Sequence, residues 1–160
     1  VQPLKAFPII RDLVTDVSWN YKQIQRITPF TPIAKPADGK YRMRTEDIDR
    51  VQEYLKCIEC FLCQNVCHVL RDHQMHDKFA GPRHFVFAAQ AEMNPIDTGA
   101  RVAHLRDDMG IGYCNITKCC TKVCPEHIEI TDNAMIPLKE RVVGRSYDPI
   151  AKLISMVTGG

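Results

Sequence analysis

An all-α domain preceded by an extended connector is the fold the sequence predicts, on three observations. Apolar residues recur at helical spacing in several stretches, no stretch shows convincing strand alternation, and prolines and glycines fall where helices start and stop. At 160 residues, with 45% hydrophobic and 25% charged content, the chain has the size and composition of one globular domain. Its formal net charge of +2 argues neither for nor against nucleic acid, and no nucleic-acid partner is expected. No segment approaches the roughly 18 apolar residues of a membrane span. No signal peptide opens the chain, so any membrane contact is expected to be peripheral. The first residue, Val1, is not methionine, which fits a fragment or a processed product.

Residues 1–44 are proline-rich (Pro3, Pro8, Pro29, Pro32, Pro36) and read as a connector with one short helix near 9–21. A helix is expected over 46–56, where Ile48, Val51 and Leu55 share a face and Glu46 and Asp47 suit the positive N-terminal end. Gly81-Pro82 opens the next, with Phe85, Ala88, Ala89 and Met93 on its apolar face, and Asn94-Pro95 stops it. Asp97-Thr98 is expected to cap a helix running to Met109, with Gly110 as its stop. Thr131 or Asp132 starts another, in which Pro137 marks either a kink or the first turn. Asp148-Pro149 opens a last short helix with Ile150, Leu153, Ile154 and Val157 on one stripe, a surface suited to a partner or a membrane.

Eight cysteines carry the chemistry. Cys57, Cys60, Cys63 and Cys67 form a C-x2-C-x2-C-x3-C run, the ligand run of bacterial-type iron–sulfur ferredoxins. Cys114, Cys120, Cys124 and Pro125 repeat that frame, with Thr117 where the second cysteine belongs. Disulfides are a poor reading without a secretory signal. Zinc is the more serious alternative, but a tetrahedral site needs two ligand pairs and has no use for a third and fourth cysteine in one run. An α-helical ferredoxin domain over residues 45–160, binding two iron–sulfur clusters, is therefore expected.

In two-cluster ferredoxins the fourth cysteine of each run ligates the other cluster. By that rule Cys57, Cys60, Cys63 and Cys124 hold a 4Fe-4S cluster, while Cys67, Cys114 and Cys120 hold a 3Fe-4S cluster that lacks a thiolate at Thr117. Cys119 is a buried thiol or a further ligand that would make the second cluster 4Fe-4S. Adjacent side chains diverge, so it is not expected to reach the cluster that Cys120 reaches. Lys118 and Lys122 flank the second run, where positive charge would stabilise a reduced cluster unless both lysines simply face solvent. None of His68, His73, His76, His84, His104 and His127 occupies a vacant ligand position, and His68 should line the second cluster's surroundings. No catalytic residue is expected: no nucleophile–base pair, phosphate loop or paired-carboxylate site is readable.

The run at 57–67, Asp77-Lys78-Phe79-Ala80-Gly81-Pro82, and Cys120-Thr121-Lys122-Val123-Cys124-Pro125 together resemble the iron–sulfur subunit of succinate dehydrogenase and fumarate reductase. The segment from Pro8 to Asp16 is similar to that family's stretch joining two domains. The resemblance implies a subunit, not catalytic alone, that passes electrons from a flavoprotein subunit to quinone at a membrane-anchor subunit, in the respiratory chain and the tricarboxylic acid cycle. It also implies a place on the cytoplasmic face of the cell membrane. The family's first cluster, 2Fe-2S, belongs to an N-terminal domain whose cysteine run is absent here, so residues 1–44 read as the connector from it. His68 stands where a proline is frequent, Asn115 where a histidine is common, and Trp19 lies far upstream, so details of a quinone site do not carry over. Alternatives are a heterodisulfide-reductase-like subunit, which normally keeps both runs complete, and a stand-alone ferredoxin, which is normally short and acidic.

Overall fold

The computed structural model describes residues 1–147 and residue 149. The terminal stripe Ile150, Leu153, Ile154 and Val157 lies outside the described residues. The domain is helix-rich, as its helical periodicity predicts. One short exception is an antiparallel hairpin of β1 (Ile9–Arg11) and β2 (Val14–Thr15), turning through Asp12 at φ 52°. No alternation announced it because Ile9, Ile10, Leu13 and Val14 are all exposed.

The helix expected near 9–21 lies later, as α1 (Ser18–Arg26). Asp16 Oδ1 accepts from the Ser18 amide at 2.9 Å and so satisfies a donor at the helix start. The stretch around α1 is not merely extended, because Ala6, Phe7, Asn20 and Ile27 are buried in the core. Residues 28–33 are strapped to the loop at 94–101. Arg101 donates to the carbonyls of Thr28 (2.8 Å) and Pro29 (2.5 Å), and Ile33 donates its amide to Ile96 (2.8 Å).

Helix α2 (Thr45–Leu55) begins with Glu46 and Asp47 in its first turn. Its buried face is Val51 with Tyr54, while Leu55 is exposed, so the expected stripe is rotated by one residue. The short helices α3 (Leu62–Val66) and α4 (His68–Arg71) follow the first cysteine run. Helix α5 (Pro82–Glu92) crosses the interior, with Phe85, Ala88 and Ala89 fully buried. It starts at Gly81, φ +85°, where a Cβ would stand 2.0 Å from Gln64 Oε1. Only glycine fits that turn.

Helix α6 (Val102–Asp107) starts later than the Asp97-Thr98 signal suggests. Asp97 accepts instead from the Gly99 amide at 2.7 Å and pairs with Arg101 at 2.7 Å, so residues 97–101 form a side-chain-held turn. Gly110 ends the segment at φ +64°, with the Lys78 carbonyl where a Cβ would lie.

After α7 (Cys119–Val123) a π-helical segment, Ile130–Met135, leads into α8 (Ile136–Tyr147). Pro137 thus sits in the first turn of α8, directly after a widened turn, where its missing N–H and its ring are accommodated. Tyr54 Oη donates to the Asn133 carbonyl at 2.5 Å and ties α2 to this segment. Burial pushes the Tyr54 hydroxyl up to about 12, which keeps it a donor. No helix among the described residues is long and apolar enough to cross a membrane.

Candidate metal centres

The two cysteine runs have the same backbone. Glu59 and Phe61 in the first have φ 57° and 59°, and Ile116 and Lys118, at the matching places in the second, have φ 61° and 60°. Each loop then enters a five-residue helix, α3 or α7. Left-handed non-glycine residues are costly and persist where the surroundings over-determine them. Here they coil each loop twice, a shape that turns several side chains towards one point. Helices α3 and α7 pack on each other, so Cys63 on one and Cys120 on the other stand near the middle of the domain.

Two small cavities flank that contact. One is lined by Cys57, Cys60, Cys63 and Cys124, with Arg83 and Val86 of α5 behind them. The other is lined by Cys67, Cys114, Cys119 and Cys120, with His68, Thr117, Lys118 and Met135. Each therefore takes three cysteines from one part of the chain and one from the other run, or in the second case the first run's last cysteine with three from the second. Cys119 stands nearer to Cys120 than the divergence of adjacent side chains suggests. They open α7 side by side behind left-handed Lys118, and both line the same cavity. His68 lies where it was expected.

The thiols are held in apolar surroundings. Burial pushes the Cys63 thiol well above its ordinary range, with the neighbouring Cys120, Cys57, Cys60 and Cys124 adding to the effect. Burial likewise pushes Cys67 up to about 11, and raises Cys120. Buried neutral thiols need a strong Lewis acid to give up their protons, which iron supplies on binding. Four thiols spaced around a cavity suit a polynuclear body. Among the described residues, no three His, Cys, Asp or Glu side chains converge as a single metal ion requires. The first cavity also holds an unsatisfied donor: Arg83 is 4% exposed, its guanidinium pairs with Glu59, and its Nε is buried without a partner. A cluster sulfide is an acceptor of the kind that atom lacks. The residues fit iron–sulfur clusters.

A family described as "4Fe-4S dicluster domain" matches residues 53–128. The fumarate reductase iron–sulfur subunit of Mycobacterium tuberculosis is 28% identical over 139 residues, covering 81% of this chain and 53% of that protein. The succinate dehydrogenase iron–sulfur subunit of Coxiella burnetii is 28% identical over 131 residues, covering 80% and 55%. This chain is similar to those iron–sulfur subunits over about four fifths of its length. Among solved structures, a chain of the "Mycobacterium smegmatis Sdh1 complex in the apo form" superposes with a TM-score of 0.88 at 60% identity, covering 94% of this chain and 63% of that one. The chain spans about half the length of the curated relatives it matches.

Sequence reasoning missed several contacts in and around the two sites. Arg83 carried no signal, because an arginine one residue after a helix-opening proline reads as surface. Thr131 stands with its hydroxyl 3.4 Å from Cys120 Sγ and accepts from Thr121 Oγ1 at 3.0 Å. Lys139 on α8 donates to the Cys114 carbonyl, and Lys118 pairs with Asp132 at 2.8 Å. Trp19, far upstream in sequence, packs edge-on against His76 and His84 and donates to the His76 carbonyl at 3.2 Å. None of these contacts is local, so no periodicity or motif could announce them.

Proposed function

We propose that this chain is the cluster-bearing part of the iron–sulfur subunit of a succinate:quinone oxidoreductase. It relays electrons from a flavoprotein subunit to quinone at a membrane-anchor subunit and oxidises no succinate alone. Cys57, Cys60, Cys63 and Cys124 hold a 4Fe-4S cluster; Cys67, Cys114 and Cys120 hold a 3Fe-4S cluster. The observation that carries this reading is the pair of cysteine-lined cavities on either side of the α3–α7 contact, each closed by a cysteine of the other run. Bound there, the clusters would accept and release single electrons. The chain's own residues hold them close together and exclude water with Phe61, Val86, Ile128, Phe79 and Met135.

In this reading residues 45–160 are the two-cluster domain, and residues 1–44 join it to an N-terminal domain bearing a 2Fe-2S cluster. The hairpin supports it, since Ile9, Ile10, Leu13 and Val14 form an exposed apolar edge suited to burial against another surface. The complex sits on the cytoplasmic face of the membrane, with this chain peripheral. The same electron wire serves fumarate reduction if the partners' potentials reverse the flow.

The test is anaerobic reconstitution of the full chain with iron and sulfide, followed by electron paramagnetic resonance and a succinate–dye assay. Two distinct cluster signals and no succinate-dependent dye reduction are expected. Dye reduction without a flavoprotein, or a single cluster, would overturn the proposal. Affinity purification from the native host should bring down a flavoprotein and a small membrane protein.

A further inference from the structure

We propose that Cys119 gives the second cavity a fourth thiol for a fourth iron, so that this site exchanges ferrous iron and switches between three-iron and four-iron forms. The inference rests on the reading above that the second cavity holds a cluster. Three observations lead to it. Cys119 lines that cavity together with Cys67, Cys114 and Cys120, so four thiols surround it although only three stand in the repeated frame. Thr117, which occupies the vacant place in the frame, has its hydroxyl 3.3 Å from Cys119 Sγ, so the out-of-frame sulfur lies beside the gap. In the first loop the residue matching Cys119 is Leu62, and it is not among those lining the first cavity, where Cys60 supplies the in-frame thiol. The repeat's geometry therefore does not itself turn this position inwards, and the second loop departs from the first at the one place where a ligand is missing.

Accessibility follows the same pattern. Cys67 and Cys120 are buried, Cys114 and Cys119 are half-buried and Thr117 is exposed, so the open corner of the site beside Thr117 faces solvent. Iron arriving there meets Cys119, the thiol beside Thr117. One ferrous ion and one electron, from a one-electron reductant such as dithionite, add to the oxidised three-iron core, whose charge rises by one. The Cys119 S–H bond breaks, its proton passes to water, and an Sγ–Fe bond forms. Release is the reverse, with an oxidant taking the electron and ferrous iron leaving. A thiolate is a far better ligand for iron than the Thr117 hydroxyl, which leaves Cys119 as the chemically competent group at that corner.

The test uses the full reconstituted chain and its Cys119→Ala variant, oxidised, then treated anaerobically with ferrous iron and dithionite, desalted, and returned with a mild oxidant to a potential at which any three-iron core is again oxidised. In the wild type the paramagnetic signal of the oxidised three-iron cluster should fall several-fold while bound iron rises by one per chain. In Cys119→Ala both should stay unchanged, with the first cluster's signal intact as evidence of folding. Cys119→Ala combined with Thr117→Cys should regain the uptake, because it restores the in-frame ligand. Equal uptake by wild type and Cys119→Ala, or uptake by neither, overturns the proposal. A chain in which no second cluster forms at all overturns the cluster reading itself, and the role of Cys119 with it.

Discussion

Cys67 and Cys124 end the two matching loops with nearly the same backbone, φ −69° and ψ 111° at one and φ −68° and ψ 117° at the other, and each faces the other loop's cavity. Both residues have left the helix and turned extended, so their side chains point away from the cavity that their own loop has wrapped. The crossing ties the two runs, 57 positions apart on matching residues from Cys67 to Cys124, into one unit. Cys124→Ser should therefore damage the same cluster as Cys57→Ser, and Cys67→Ser the same one as Cys114→Ser. Resonance spectra of the four variants check this; pairing by sequence neighbourhood would sink the crossed arrangement.

Arg83 should raise the reduction potential of the first cluster. It is a buried cation lining that cavity, and positive charge favours the more negative reduced form. Its partner Glu59 is about half exposed and cancels only part of the field. Arg83→Gln should lower the midpoint potential by on the order of 50 mV, close to a tenfold change in a one-electron equilibrium. Arg83→Lys should recover part of it. Redox titration of the first signal decides, and an unchanged potential would show the charge to be screened.

Arg101 should be among the most sensitive positions outside the cysteines. Its guanidinium is 1% exposed, lies 2.7 Å from the equally buried Asp97 and joins residues 28–29 to the body of the domain. Removing it strands a buried carboxylate. Arg101→Met should cost about 3–5 kcal/mol. Denaturant unfolding of the holoprotein measures the loss, and Arg101→Met with Asp97→Leu should cost less than Arg101→Met alone.

His84 should make stability depend on acid. Its ring is buried, and burial holds its pKa below the usual 6.5 despite the carbonyls of Ala80 and Asn20, 2.6 and 3.0 Å from its two nitrogens. The folded state therefore binds this proton less readily than the unfolded state. The stabilisation is fully present above about pH 6.5 and is lost as pH falls from there through the folded value. Comparing unfolding of the wild type and His84→Gln between about pH 7.5 and 5.5 should show their stability difference shrinking in acid. A constant difference would mean that the ring binds its proton equally well in the folded and unfolded states.

The sequence by itself determined the iron–sulfur chemistry and the helix-rich class. Those follow from local order: cysteine spacing within a loop, helical periodicity, and proline or glycine at the ends of α5 and α6. It also placed the defect at Thr117. It misjudged features in which a side chain answers to something distant. Asp97 looked like a helix cap and serves instead as the partner of Arg101; the proline-rich start looked like a plain connector and contributes Phe7, Asn20 and Ile27 to the core. Only the tertiary structure decided that Cys119 shares a cavity with Cys120, because that cavity exists only where the second loop closes against Cys67 and His68 of the first run and Met135. Arg83 likewise became part of a site only once α5 was packed behind the first cysteine loop. Its burial, its charge and its unsatisfied nitrogen are properties of that packing, which no local pattern of residues encodes.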